Sequence, residues 1–229
     1  MLNQSNKHGT EHSKQLTLEQ SDGLRLEVGI DEAGRGCLAG PVVAAAVSMP
    51  IFEVDDENYD IVKMIKDSKQ MSAKKRDICR EFIESFAIDW GIGMANNGEI
   101  DQINILNATH TAMHRALDNL NVTPDFILVD GNSFRDYYDD DNELVDYKCV
   151  IGGDNIYLNI ACASILAKEY HDKTIRGYVE EIPEYDTKYD WNRNVCYGTQ
   201  KHRTGIEEWG ISKYHRKTFG ICRNKQITC

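Results

Sequence analysis

Leu24-Arg25-Leu26-Glu27-Val28-Gly29-Ile30 alternates apolar residues with others, the period of a strand with one buried face. Pro41 to Met49 is a short, almost unbroken apolar run, which predicts a buried second strand. Gly34, Gly36 and Gly40 make the tight loop between them. Ser72, followed by Lys74, Lys75 and Arg76, opens a helix to about Phe86, and Ala87 to Met94 predicts a third strand. Ile103, Leu106, Ala108, Met113, Ala116, Leu117 and Leu120 form the stripe of a helix over Glu99 to Leu120. Asp125 to Val129 is a short buried strand that ends on Asp130-Gly131, and Tyr147 to Ile151 is a fifth that ends at Gly152-Gly153-Asp154. Ile156 to about Glu181 is helical, and the remainder is loop-rich with a short helix near His202 to Trp209.

The order β-β-α-β-α-β-β-α predicts an α/β fold: a mixed five-stranded sheet flanked by helices, with a small helical C-terminal extension. Residues 1–22 are polar and aperiodic, which predicts a disordered tail; 23–190 form the main domain and 191–229 a basic C-terminal segment. The longest apolar run, Gly40 to Met49, falls well short of the ~18 residues of a membrane span. The N-terminus has no apolar core of a secretory signal. Seven cysteines, an odd number with no C-x-x-C pair, point to reduced thiols in a cytoplasmic compartment and away from a disulfide framework or a zinc site.

A net charge of −11 argues at first against a nucleic-acid partner. The charge is uneven, however. Residues 136–146 hold Asp136, Asp139, Asp140, Asp141, Glu143 and Asp146, whereas 191–229 hold only Glu207 and Glu208 against four arginines and four lysines. A basic end on an acidic body permits a local phosphate-binding surface.

Asp31-Glu32, Asp130 and Asp154 all fall where predicted strands end, each beside glycine. Strand ends are where sites assemble in an open α/β sheet. Carboxylates converging there repel one another unless a cation neutralises them, and hard oxygen ligands suit Mg²⁺ or Mn²⁺. Two such ions can activate water and stabilise a leaving oxygen in phosphodiester cleavage. Taken singly, each acid also fits a turn or cap, Asp154 above all as a helix N-cap.

The run Ile30-Asp31-Glu32-Ala33-Gly34-Arg35-Gly36, followed by Leu38-Ala39-Gly40-Pro41-Val42-Val43, resembles the opening signature of ribonuclease HII, the type 2 ribonuclease H family. The likeness continues in order through Lys66-Asp67-Ser68-Lys69, Ile105-Leu106-Asn107-Ala108-Thr109, Val129-Asp130-Gly131-Asn132, Ile160 to Lys168, Tyr197-Gly198-Thr199 and His215-Arg216-Lys217-Thr218-Phe219. It implies an RNase H-like fold, a soluble, monomeric nuclease acting on RNA–DNA hybrids and ribonucleotide-containing duplex DNA, and Asp31, Glu32, Asp130 and Asp154 as catalytic, metal-binding carboxylates. It also implies that Gly34-Arg35-Gly36 reads a ribose 2′-hydroxyl, that Lys69 contacts phosphate, and that Tyr197 stacks on the next deoxyribose. A close glycine backbone is well suited to interrogate a group that both donates and accepts. Three positions depart from the family pattern: Cys37 replaces a proline, Gly152 a lysine and Asn155 a serine.

Other features have plainer readings. Gly34-Arg35-Gly36-Cys37-Leu38-Ala39 matches a dinucleotide fingerprint, but Asp31-Glu32 would repel a pyrophosphate and a strand follows where a helix is needed. Lys74, Lys75 and Arg76 fit a solvated helix face, His110 and His114 a satisfied pair on a helix, and Tyr197 an ordinary half-buried tyrosine. A catalytically silent nucleic-acid-binding protein on the same fold is the alternative to the nuclease.

Overall fold

Every side chain of the Val42–Ser48 strand is buried, as its apolar run requires of a strand covered on both faces. The computed structural model describes residues 25–53, 55–65 and 71–228; the polar segment 1–22 and Lys69 lie outside them. Its strands are β1 (Glu27–Ala33), β2 (Val42–Ser48), β3 (Asp89–Ala95), β4 (Phe126–Asp130) and β5 (Tyr147–Val150). They pair in the order β3-β2-β1-β4-β5, antiparallel among β1, β2 and β3, and parallel from β1 through β4 to β5. The mixed five-stranded sheet is as predicted. The first strand is displaced, however: it runs to Ala33, so Asp31 and Glu32 lie inside it.

The helices are α1 (Tyr59–Val62), α2 (Ala73–Phe86), α3 (Asn97–Asp118), α4 (Leu158–Glu181), α5 (Glu184–Tyr189), α6 (Trp191–Asn194) and α7 (Gln200–Trp209). Ser72 caps α2 by accepting the Lys75 N–H, and Asn96 with Glu99 forms a capping box on α3. The single helix predicted from Glu99 to Leu120 is broken by Asn104, whose φ is +65°, a conformation asparagine tolerates better than most residues. Parallel β4 and β5 need a long crossover, and the acidic loop between them supplies it.

Alternation sorts the sheet's side chains. Val28, Ile30, Ala44 and Ala46 pack under α3, while Ala45 and Val47 pack under α2 and α4. The middle of β2 is three consecutive alanines, Ala44 to Ala46, where helices lie close on both sides. Gly93 of β3 shows how close, since a Cβ there would stand 2.0 Å from the Ala112 carbonyl oxygen of α3. Asn159, at the start of α4, stitches helix to sheet by accepting the Met49 N–H and donating to the Glu27 carbonyl.

A third core joins Cys37, Leu38 and Ala39 to Ile175, Tyr185, Tyr189, Trp191, Cys196 and Ile206. It crosses position 190, where the sequence divides the chain. Its centre is a histidine pair. The Nδ1 of His215 accepts from the Ser212 N–H, which leaves its Nε2–H to face His202 Nε2 at 3.1 Å; Trp191 Nε1 also donates to that acceptor. His202 Nδ1 then donates to the Tyr197 carbonyl at 3.0 Å. Both rings are fully buried, and burial lowers the His202 pKa to about 4 and that of His215 well below its ordinary value.

Both folded-state pKa values are depressed, so the stability carried by the neutral pair is complete above the unfolded value of about 6.5 and is lost as pH falls below it. Ring-proton NMR should show both histidines uncharged at pH 5.5. Denaturant melts should show each contributing a loss that steepens below pH 6.5 and approaches about 1.4 kcal/mol per pH unit near pH 5, where the unfolded ring is charged and the folded one is not. Titration of either ring near its ordinary value would contradict the buried pair.

Candidate active site

Successive residues of β1 point to opposite faces, so Asp31 and Glu32 approach the C-terminal end of the sheet from two sides. Their partners across β2 are Ala45 and Ala44, whose small side chains leave room for carboxylates. On the other side, the last registered pair of β1 and β4 is Ile30 with Val129, which brings Asp31 beside Asp130, the final residue of β4. Strand register therefore assembles three acids from two separate sequence blocks.

Asp31 is buried, with a bond from the Ser164 hydroxyl and another from the Glu32 N–H at 2.6 Å. Even so, its carboxyl is held well above the usual carboxylate range, first by burial and then by the negative charges of Glu32 and Asp130. Glu32 Oε1 accepts from Arg35 Nη1 at 3.0 Å. Asp130 Oδ1 accepts the Gly153 N–H at 2.8 Å, which ties the turn carrying Asp154 to the end of β4. Asp154 is buried in the short 3-10 turn Gly153–Asn155, and its Oδ1 accepts from the Asn155 side chain. It is not the N-cap of α4, a position held by Tyr157.

Among the described residues, no three His, Cys, Asp or Glu side chains form a finished cage for an ion. The donor chemistry nevertheless fits a hard divalent cation such as Mg²⁺ or Mn²⁺. Every candidate ligand is a carboxylate oxygen, and the group at the centre is pushed toward protonation by burial and then by its neighbours' charge, the second of which a cation would relieve. On the α3 side, Glu32 and Asp130 line a small pocket of about 30 Å³ with Thr109, His110, Gly131 and Ser133, room for about one water.

The loop after β1 is shaped by a residue at the other end of the chain. Arg216 is fully buried, and its guanidinium donates to four carbonyls: Gly34 at 2.7 Å, Arg35 at 2.9 Å, Gly40 at 3.0 Å and Pro41 at 2.9 Å. Backbone bonds from Leu38 N–H to Cys196 and from Gly40 N–H to Tyr214 zip the same loop to the C-terminal segment. Gly34 has φ +90°, and a Cβ there would stand 2.5 Å from the His171 ring. Gly36 is exposed and lies against the Tyr197 ring, at 3.9 Å from where its Cβ would be. Tyr197 is half-buried, its hydroxyl set against the Cys37 thiol and the Gly34 backbone, and burial pushes its pKa up to about 12.

The fold thus brings Asp31, Glu32, Asp130, Asp154, Gly34, Arg35, Gly36 and Tyr197 to one end of the sheet. Two sequence readings change, while that of His110 and His114 as a satisfied pair holds. Arg76 is not on a solvated face but buried, paired with Glu169 at 2.6 Å. His215 and Arg216 are interior, so only Lys217 of that trio is exposed. His110 and His114 are satisfied by Ser133 and by the Arg135 carbonyl. Little in the sequence signals Arg216's part. The available signal was a glycine- and proline-rich loop whose carbonyls have no strand partners and so require a multiple donor.

The pattern of the ribonuclease HII family matches residues 28–222. The chain belongs to that family. It is 47% identical over 202 residues to a ribonuclease HII of Bacteroides thetaiotaomicron, covering 88% of this chain and 93% of the relative. A ribonuclease HII of Parabacteroides distasonis is 48% identical over 197 residues, covering 86% and 91%. The fold is shared with ribonuclease H2 from Pyrococcus horikoshii, at a TM-score of 0.66 and 20% identity over 86% of this chain and 95% of that one. It is shared too with Bst-RNase HIII solved in complex with Mn²⁺, at a TM-score of 0.60 and 18% identity over 86% and 68%. Membership makes the chain a ribonuclease H enzyme. Among the described residues, no helix is long and apolar enough to cross a membrane.

Asp130→Asn removes one charge from Asp31's surroundings while keeping an oxygen for the Gly153 N–H. In metal-free buffer it should raise Tm by a few degrees, about 1 kcal/mol of relieved repulsion, and it should blunt the further rise produced by Mn²⁺. A variant melting at or below the wild type without metal would show that the carboxylates are not crowded.

Proposed function

We propose that the chain is an endonuclease that hydrolyses the RNA strand of RNA–DNA hybrids and cuts duplex DNA on the 5′ side of a single embedded ribonucleotide, leaving 3′-hydroxyl and 5′-phosphate ends. The observation that carries the reading is the juxtaposition of crowded carboxylates with a glycine loop and Tyr197 at one end of the sheet. Asp31, Glu32, Asp130 and Asp154 are the metal-binding and catalytic groups. Bound there, two divalent ions would lower the pKa of an attacking water and stabilise the departing oxygen.

The chain's own residues do the selecting. Exposed Gly36, on a loop fixed from behind by Arg216 through the Gly34 carbonyl, offers backbone donor and acceptor at van der Waals range to a 2′-hydroxyl. The ring of Tyr197, packed beside Gly36, presents a flat face for the following deoxyribose. Arg35 is half exposed and its guanidinium sits on Glu32, between the loop and the acids, where a scissile phosphate would lie. Lys69, outside the described residues, completes the proposed contacts to the backbone of the duplex.

Asp31→Asn removes a carboxylate from the centre of the site without changing its size. Turnover on a labelled RNA–DNA hybrid with Mg²⁺ or Mn²⁺ should fall by several orders of magnitude while the melting curve stays cooperative. Near-normal turnover by the folded variant would sink the assignment.

The junction reading has its own test. Wild type should cut a DNA duplex carrying one ribonucleotide, and Tyr197→Ala should lose about 1–3 kcal/mol of transition-state stabilisation on it, by analogy with aromatic–base stacking. Failure of the wild type to cut that substrate while it cuts the all-RNA hybrid would leave only a generic hybrid nuclease.

A further inference from the structure

One turn of α4 places Lys168, His171 and Asp172 behind the loop and Tyr197. Asp172 is 3% exposed and His171 fully buried. A single oxygen, Asp172 Oδ1, accepts from Lys168 Nζ at 2.7 Å and faces His171 Nδ1 at 3.0 Å. With Nδ1–H given to the carboxylate, the neutral ring turns Nε2 toward the Cys37 thiol, 3.6 Å away. The same ring is the floor beneath Gly34, as the 2.5 Å approach to a notional Cβ shows. The Lys168 ammonium stands 5.5 Å from the centroid of the Tyr197 ring, and the His171 ring 6.3 Å from it.

One carboxylate thus fixes two side chains that together touch the glycine loop, the Cys37 thiol and the tyrosine ring. A buried ion pair adds little stability compared with apolar packing of the same volume. Its distinctive physical effect is directional: charged hydrogen bonds hold a ring and an ammonium in one orientation. The pair stands at the seam between the parts that must keep a fixed spacing, because Gly34 follows β1 directly whereas Tyr197 comes from the C-terminal segment.

We propose that Asp172, acting through His171 and Lys168, is a positioning residue that sets Gly34 and Tyr197 at the spacing needed to recognise an RNA-to-DNA junction. This rests on the function proposed above. The three face the loop and the Tyr197 ring, so their influence falls on substrate choice before it falls on turnover.

The test is a double-mutant cycle on two substrates. Asp172→Asn keeps the side chain's size and an acceptor but loses the charge. With kcat/KM measured in Mn²⁺, it should lose about tenfold on the single-ribonucleotide duplex and less than about threefold on the all-RNA hybrid, with a cooperative melt. In the Tyr197→Ala background it should cause no further loss of selectivity, because a residue that works through Tyr197 has nothing left to position. Lys168→Met, which keeps the length and removes the ammonium, should repeat the pattern and serves if Asp172→Asn does not fold. Equal losses on both substrates, or losses that multiply with Tyr197→Ala, would overturn the proposal while leaving the junction reading intact. A wild type that cuts the hybrid but ignores the single ribonucleotide would overturn the junction reading itself.

Discussion

The buried guanidinium of Arg216 is the constraint on which the rest of the site depends. The loop from Gly34 to Pro41 turns sharply out of one strand and into the next, so its carbonyls have no ladder to join. Four of them meet the same planar fork. An unsatisfied buried carbonyl costs on the order of 1–3 kcal/mol, and a loop with several would not hold one shape. Lysine could not replace the arginine, because a compact ammonium with three donors cannot span four acceptors set around a plane. Held from behind in this way, the loop turns Gly36 outward against Tyr197.

The carboxylates follow from a different constraint, the register of the sheet. β1 pairs with alanine-rich β2 on one side and parallel β4 on the other, so Asp31 and Asp130 arrive side by side even though nearly a hundred residues separate them. Their mutual repulsion is tolerable because α4 closes over them with a hydroxyl, Ser164, rather than another apolar group. The overall charge of −11 is thus a poor guide to what the protein binds. Part of the acidity is gathered where a cation would neutralise it, and six further acids lie in the exposed crossover between β4 and β5. The C-terminal cations are likewise less free than their count implies. Arg216 is interior, and Lys201, Lys213 and Lys225 pair with Asp190, Glu181 and Glu207.

The helices do unequal work. α3 covers one face of the sheet and is interrupted at Asn104 near the site, whereas α4 runs unbroken beneath the other face and carries functional groups at both levels. Its first turns back the carboxylates through Ser164, and the next turns support the loop through Lys168, His171 and Asp172. A single helix therefore links the acid-bearing end of the sheet to the loop and tyrosine proposed to select the substrate.

The sequence alone determined the strand and helix types, because apolar period is a local property, and it singled out the candidate acids and glycines, because their motif is contiguous around Asp31 and around Asp130. It placed strand ends too early at Asp31, since a polar residue inside a strand looks like a boundary when its partner strands are unknown. Tertiary structure decided the rest. Whether a cation faces solvent or an interior carbonyl depends on residues far along the chain, so Arg76 and Arg216 resembled surface charge until their partners were in place. The neutral state of His202 and His215 arises only from burial against each other. The link from Asp172 to Tyr197 exists only because α4 lies under a loop 130 residues earlier in the chain.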